Sequence, residues 1–178
     1  ASVRRRVRRR RGQVELNLPE VETELLASLV DQFIELLRPE DEAVAAPWPT
    51  FERPGLDDSD PAIQRLFPPA YRVDPEADAE YRRFAETDAL RRKMTEAQQV
   101  RALLDAVPPV VLDEAAVGAV LRTLNALRLT LASRLGVVLP GDEAALAAVS
   151  RDDPRGFVIE IYEWLGELLA MVLDVLER

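Results

Sequence analysis

The sequence contains no cysteine and no histidine. Without cysteine there is no disulfide, no thiol nucleophile and no thiolate ligand for zinc. Without histidine there is no imidazole base near neutral pH, no Ser-His-Asp triad and no usual ligand for a transition metal. Hydrolytic or metal chemistry would have to depend on carboxylates, lysine or tyrosine alone. We therefore expect a protein that is not an enzyme and that uses no cofactor or metal.

Long hydrophobic runs are also missing. The most apolar stretch, residues 157–176, is interrupted by four acidic side chains, and we predict no transmembrane helix. The basic start of the chain is followed by Gly12–Asn17 and not by an apolar segment, which predicts no signal peptide. These patterns favour a cytoplasmic protein that does not bind a membrane. A length of 178 residues is sufficient for one domain with a substantial core.

What the sequence has is a dense block of arginine. Seven of the eight residues from position 4 to position 11 are arginine: Arg4, Arg5, Arg6, Arg8, Arg9, Arg10 and Arg11. Residues 1–18 carry these seven cations and one acid, Glu15, while the rest of the chain carries 16 basic and 31 acidic residues. A local charge of +6 thus precedes a body of charge −15. Such a block indicates contact with phosphate, with an acidic partner or with the chain's own body.

Residues 1–18 are predicted to form a β-hairpin. Apolar residues occupy alternating positions of two short runs, and Gly12 is available for the turn. A turn at Arg11-Gly12 places Val7 opposite Leu16 and Arg8 opposite Glu15. The apolar face would pack on a helical body, because an isolated hairpin is only marginally stable.

Residues 19–178 are predicted to form a single helical bundle domain of about five to six helices, so that the fold class is mainly α with an N-terminal basic hairpin. Helices are expected to begin at Pro19, Asp60-Pro61, Asp74-Pro75, Asp113 and Asp153-Pro154, with one further turn near 143–149. Gly136 is expected to close the helix that follows Asp113. The last helix is expected to bury the residues Phe157, Ile161, Trp164, Leu165, Leu168, Val172 and Leu176.

Polar residues on the helix of residues 114–135 form a second candidate site. Arg122, Asn125, Arg128 and Arg134 flank its apolar stripe. They are interpreted as structural partners of carboxylates on a neighbouring helix, with Glu163 and Glu167 as expected mates, although a binding pocket is also possible.

Acidic clusters form a third candidate. Residues 57–60 and Asp152-Asp153 could hold Mg²⁺, but they lack the spacing of a calcium loop, and Asp60 and Asp153 are better explained as helix caps. The proline-rich loop of residues 39–61 is long enough to be functional.

Several segments together resemble an actinobacterial family known as a domain of unknown function, DUF2017. They are the arginine hairpin up to Gly12, Leu66–Tyr71, Asp74–Ala77, Glu80–Arg83, Val111–Asp113, Leu124–Leu129, Arg134–Gly136 and Tyr162–Leu165. The resemblance implies a cytoplasmic regulator of transcription under oxidative stress that contacts a sigma factor and promoter DNA and carries a cysteine-pair redox switch. This chain departs from that pattern, because without cysteine it has no disulfide switch.

Two functional hypotheses follow. The first is a non-enzymatic regulatory protein whose arginine hairpin contacts DNA phosphate or a transcription partner such as a sigma factor. The alternative is a protein–protein adaptor that binds through its acidic faces and the 39–61 loop. The sequence leaves the oligomeric state open, a dimer included.

Overall fold

Helices dominate the fold. A computed structural model describes residues 6–38, 59–68, 75–149 and 152–177. Within these ranges the strands are β1 (Val7–Arg10), β2 (Gln13–Leu16) and β3 (Val110–Leu112), and the helices are α1 (Glu20–Leu37), α2 (Pro61–Leu66), α3 (Pro75–Leu104), α4 (Glu114–Arg134), α5 (Glu143–Leu146) and α6 (Gly156–Glu177). The mainly helical class with an N-terminal hairpin is confirmed. Arg4, Arg5 and residues 39–58 of the proline-rich loop lie outside the described residues.

Aspartate and glycine set helix ends where the sequence predicts them. The Asp60 carboxylate accepts a hydrogen bond from the backbone N–H of Ala62 at 2.8 Å, at the start of α2. Asp113 accepts from the N–H of Ala116 at 2.7 Å, at the start of α4. Gly136 follows α4 with a φ of +75°, which glycine adopts without a steric penalty. These three predictions are confirmed.

Helix α4 lies at the centre of the molecule and contacts α1, α2, α3 and α6. Leu124 of α4 and Leu165 of α6 are fully buried. Burial of one such side chain stabilises the fold by about 1.5–3 kcal/mol. Because α3 and α6 pack against α4, the polar residues of α4 are held in fixed positions.

By length and composition α4 is also apolar enough to cross a membrane, and half of the residues in its apolar stretch are buried inside the protein. A helix at the centre of a folded core has the same composition. The cellular location therefore stays a prediction.

The hairpin is part of a three-stranded antiparallel sheet in the order β1-β2-β3. Val7 is opposite Leu16 and Arg8 opposite Glu15, so the predicted register is confirmed. The third strand was not predicted. It pairs with β2 so that Glu15 lies opposite Val111, and it joins the hairpin to the connection between α3 and α4.

The buried face of α6 differs from the prediction at both ends. Phe157 is 65% exposed and Leu176 is 41% exposed, whereas Ile159 and Tyr162 are buried. Near its start α6 packs against a second apolar cluster that includes Leu146 of α5, and this cluster takes up Ile159 and Tyr162. The prediction that Phe157 and Leu176 point inward was wrong, because it assumed a single straight stripe along the helix.

Candidate functional site

The hairpin turns at Arg11 and Gly12, which have φ values of +54° and +83°. A two-residue turn with positive φ at both positions suits the twist of a hairpin, and Asn-Gly is the usual choice. Glycine satisfies the second position here, but arginine is an uncommon residue at the first. Its left-handed backbone costs on the order of 1 kcal/mol. The preferences of the turn therefore do not explain why arginine occupies position 11.

The apolar face of the hairpin is seated on the helical body. Val7, Val14 and Leu16 are each no more than 5% exposed, and β1 contacts α6. These side chains belong to the same apolar cluster as the cores of α1, α4 and α6. The hairpin is therefore held in place by burial, and its position relative to the helices is fixed.

Arg6, just before β1, is bound by the body of the protein. Its Nη2 lies 2.6 Å from Glu22 Oε1, and its Nε donates to Glu22 Oε2 at 2.7 Å. Glu22 lies in the first turn of α1, where the helix dipole favours a negative charge. The hydrogen bond to Glu22 raises the pKa of Arg6 above its ordinary value, and Glu167 of α6 adds a weaker electrostatic effect. Arg6 therefore links the hairpin to α1.

Arg8 is bound within the hairpin itself. Its Nε lies 2.6 Å from Glu15 Oε2 on the opposite strand. Glu15 is 8% exposed and belongs to the central strand of the sheet. A nearly buried carboxylate needs a charged partner to offset its lost hydration, and Arg8 supplies it.

Arg9, Arg10 and Arg11 form the hairpin tip, and all three are exposed. Within the described part of the chain, no ion pair or hydrogen bond engages their guanidinium groups. The structure thus divides the predicted arginine site. Arg6 and Arg8 pair with acids of the protein itself, and the three arginines of the hairpin tip present their charges to solvent.

The arginines of α4 pair with carboxylates, as predicted, but on elements other than the one expected. Arg122 Nε lies 2.8 Å from Glu96 Oε1 of α3. Arg134 Nη2 lies 2.7 Å from Asp60 Oδ2, at the cap of α2. The expected mates, Glu163 and Glu167, are exposed on α6, and neither pairs with an α4 arginine among the described residues.

Arg128 is the α4 arginine that packs against α6. Its guanidinium carbon lies 4.4 Å from the centre of the Tyr162 ring, and its Nη2 donates to Glu143 of α5 at 3.2 Å. The Tyr162 hydroxyl also donates to Glu143. A Cβ on Gly166 would lie 3.2 Å from Arg128 Nε, so the glycine leaves room for the arginine. This arrangement holds α5 against α4 and α6.

Asn125 and Arg122 line a cleft that the sequence only suggested as a possible pocket. The cleft lies between α3 and α4, has a volume of about 190 Å³ and is also lined by Phe33 of α1. We call it the α3/α4 cleft. Its polar lining consists of Arg92, Lys93, Glu96, Arg122, Thr123 and Asn125. Three cations and one carboxylate give it a local excess of two positive charges, in a chain of net charge −9.

Lys93 is the only lysine in the sequence, where the other 22 basic residues are arginine. Its Nζ lies 5.8 Å from the centre of the Phe67 ring. Burial lowers the pKa of Lys93 below its ordinary value, Glu96 opposes this shift, and Arg92 adds to it. Sequence analysis did not identify this residue, although its uniqueness is visible in the sequence.

The acidic side chains of the described residues serve mainly as caps and ion-pair partners. Asp153 pairs with the side chain of Arg155 and also accepts from the backbone N–H of that residue, and these bonds lower the pKa of Asp153 to about 2. No cluster of three or more potential metal ligands occurs within the described ranges. Asp57 and Asp58 lie outside those ranges.

The acidic surface invoked by the adaptor hypothesis includes a shallow groove between α1 and α3. Glu24, Asp31 and Glu35 line it together with Arg101, whose Nε lies 3.0 Å from Asp31 Oδ1. One of its three carboxylates is thus already paired with α3. Most of the 39–61 loop lies outside the described residues.

Comparison with protein families finds that the model for a domain of unknown function (DUF2017) matches residues 4–176. The match covers the three strands, helices α1 to α5 and all of α6 except its last residue. No curated protein and no solved structure matches the chain.

Proposed function

The chain belongs to the family described as a domain of unknown function (DUF2017), and from that premise we propose that it is a non-enzymatic regulatory protein whose hairpin tip binds nucleic-acid phosphate. The family description assigns no activity, so the proposal depends on the residues of this chain. Its setting is transcription, which the resemblance noted above implies, with promoter DNA as the partner. Redox control by a disulfide is not part of it, because the chain has no cysteine.

The observation that carries the proposal is the hairpin tip itself. Arg9, Arg10 and Arg11 are exposed, and within the described residues none of them is neutralised by a carboxylate. A guanidinium group binds phosphate oxygens through two parallel hydrogen bonds. Because the hairpin is seated by buried valine and leucine, these groups are presented on a rigid support, which lowers the entropic cost of binding.

The placement of Arg11 supports the same proposal. Asparagine or glycine would suit its backbone conformation better. An arginine at the outermost position of the turn gains charge and reach at the cost of local strain. Strain of this kind often accompanies a functional role.

The charge distribution limits the contact to a small number of phosphates. The chain outside residues 1–18 has a net charge of −15, which repels the remainder of a DNA molecule. Three guanidinium groups would neutralise about three phosphates, and the logarithm of affinity would then fall with the logarithm of salt concentration with a slope of about −2.7. We expect weak binding to the backbone with little dependence on base sequence.

The test is the affinity of the full chain for a fluorescent DNA duplex, measured by anisotropy over a range of salt concentrations. The triple variant Arg9→Gln/Arg10→Gln/Arg11→Gln should lose most of the affinity and flatten the salt slope by about 2 to 3. The matched control is Arg38→Gln/Arg91→Gln/Arg155→Gln, which removes three exposed cations away from the hairpin.

Equal losses in the two triple variants would show a general charge effect and contradict a site at the hairpin tip. Absence of DNA affinity in the unmodified chain, together with a stable protein complex recovered from the native host, would favour the adaptor hypothesis. In that case the same hairpin variants would show whether the partner contacts the arginines or the acidic groove.

A further inference from the structure

We propose that the α3/α4 cleft binds a phosphate group, either as free phosphate or as part of a small phosphomonoester. This site lies on the helical body and is separate from the hairpin tip. It goes beyond the proposed function, because that function requires no small ligand.

The donors of the cleft match the acceptors of a phosphate group. Arg122 uses its Nε to bind Glu96, and neither of its terminal nitrogens is hydrogen-bonded to another described residue. Lys93 Nζ and the guanidinium of Arg92 likewise have no ion-pair partner within the described ranges. Guanidinium and ammonium groups that have donors free for a ligand are the usual groups that bind phosphate in proteins.

The backbone of α4 allows Arg122 to take this position. A Cβ on residue 118 would lie 2.9 Å from Arg122 Nη2, and Gly118 leaves that space open. The guanidinium therefore lies along the surface of α4, with its Nε bound to Glu96 and its terminal nitrogens beside Gly118. Arg122 also lines the cleft.

Charge decides between phosphate and a simple carboxylic acid. The local excess of two positive charges is balanced by a phosphate group, whose charge near neutral pH is about −1.5 to −2. A monocarboxylate would leave one positive charge uncompensated. Thr123 and Asn125 add neutral hydrogen-bonding groups that suit the phosphate oxygens.

Volume sets an upper limit on the ligand. The cleft measures about 190 Å³, whereas pockets for drug-sized ligands are on the order of 300–1,000 Å³. Free phosphate or a phosphate on a short carbon chain fits this space, and a whole nucleotide does not. The apolar side chains of Phe33, Ala126 and Leu129 would face the carbon chain of an ester.

The pKa of Lys93 should respond to a bound phosphate. Burial lowers its pKa, and a bound phosphate would favour the charged amine and reverse that shift. Because the neutral amine is the nucleophile in acylation, binding should both cover Lys93 and reduce its reactivity.

The uniqueness of Lys93 makes the first experiment specific. The full chain is treated with an amine-acetylating reagent, and acetylation of the peptide that contains Lys93 is measured by mass spectrometry. Inorganic phosphate, compared with chloride at equal ionic strength, should slow this reaction at least about fivefold and in a saturable way. No protection by phosphate would overturn the proposal.

Calorimetry with variants locates the site. Lys93→Gln and Arg122→Gln should each weaken phosphate binding about tenfold or more, and Lys93→Arg should largely preserve it. Arg91→Gln, an exposed neighbour of Lys93 on α3 and outside the cleft, is the matched control and should bind as the unmodified chain does. Equal weakening in Arg91→Gln would contradict a site in the cleft.

Two further measurements distinguish an ester from free phosphate and the cleft from the hairpin tip. Glycerol phosphate should bind more tightly than inorganic phosphate if the ligand is an ester, and less tightly if it is free phosphate. The hairpin triple variant should retain phosphate binding. If it loses binding while Lys93→Gln retains it, phosphate binds at the hairpin tip, and the cleft proposal fails independently of the proposed function.

Discussion

The base and the tip of the arginine hairpin contain the same residue type in different surroundings. At the base, Arg6 and Arg8 bind Glu22 and Glu15 at 2.6 Å. At the tip, Arg9, Arg10 and Arg11 are exposed, and none forms an ion pair with the described residues. The arginine block therefore does not act as one unit. At its base, Arg6 joins the hairpin to α1 and Arg8 binds the carboxylate of the opposite strand, whereas its tip is the part suited to an outside partner.

The largest expected effect on stability is at the base. Arg8→Gln leaves the nearly buried Glu15 carboxylate without its cation and should lower the free energy of unfolding by about 2 kcal/mol. Arg10→Gln, two residues further along the same strand, is the control and should change it by less than about 0.5 kcal/mol. Urea denaturation followed by circular dichroism measures both.

A double variant tests the cause of that loss. Arg8→Met/Glu15→Leu replaces both partners with apolar groups and should recover most of the stability, because no charged group is then buried alone. If the double variant is as unstable as Arg8→Gln, the effect does not come from the isolated carboxylate.

The pair of Arg6 and Glu22 should contribute less, because the Glu22 side chain is 19% exposed whereas the Glu15 side chain is only 10% exposed. A double-mutant cycle with Arg6→Gln and Glu22→Gln should give a coupling energy of about 0.5–1 kcal/mol. The more exposed pair of Arg91 and Asp88 is the comparison and should give no more than about 0.5 kcal/mol. The coupling energy of Arg6 and Glu22 should exceed that of Arg91 and Asp88. The reverse order would show that burial does not determine the coupling energy.

The smallest change is expected at the turn, and it separates stability from binding. Arg11→Asn suits the left-handed backbone and should raise the free energy of unfolding by about 0.5 kcal/mol. The same variant removes one guanidinium and should reduce the salt slope of DNA binding by about 1. Denaturation and anisotropy on the same sample check both values. A variant that is more stable and binds DNA unchanged would remove Arg11 from the proposed contact.

The hairpin was predictable because its information is local. Alternating apolar residues and one glycine determine which face is buried and where the chain turns. The capping role of Asp113 was predictable for the same reason, since it depends on the first turn of its own helix. By contrast, the pairing partners of Arg122 and Arg134 depend on how α2 and α3 pack against α4, and periodicity does not contain that information.

Two structural features could not be predicted from the sequence, for different reasons. Strand β3 has only three residues and follows two prolines, so it has no pattern of its own and forms only because β2 offers a free edge. The α3/α4 cleft combines side chains from separate helices, which no single segment shows. The one available signal was compositional, because a single lysine among 22 arginines identifies Lys93 as unusual.

The pairing of β2 with β3 has a consequence for the order of folding. Glu15 and Val111 are roughly a hundred residues apart along the chain, and contacts between such distant segments carry a larger loop-closure cost than contacts between neighbouring segments and form later. The helices α3 and α4 that flank β3 depend mainly on contacts closer in sequence. We therefore expect β3 to join the sheet after α3 and α4 have formed, so that a chain still being synthesised carries its arginines on an incomplete sheet. Only the finished protein would hold them in a fixed orientation.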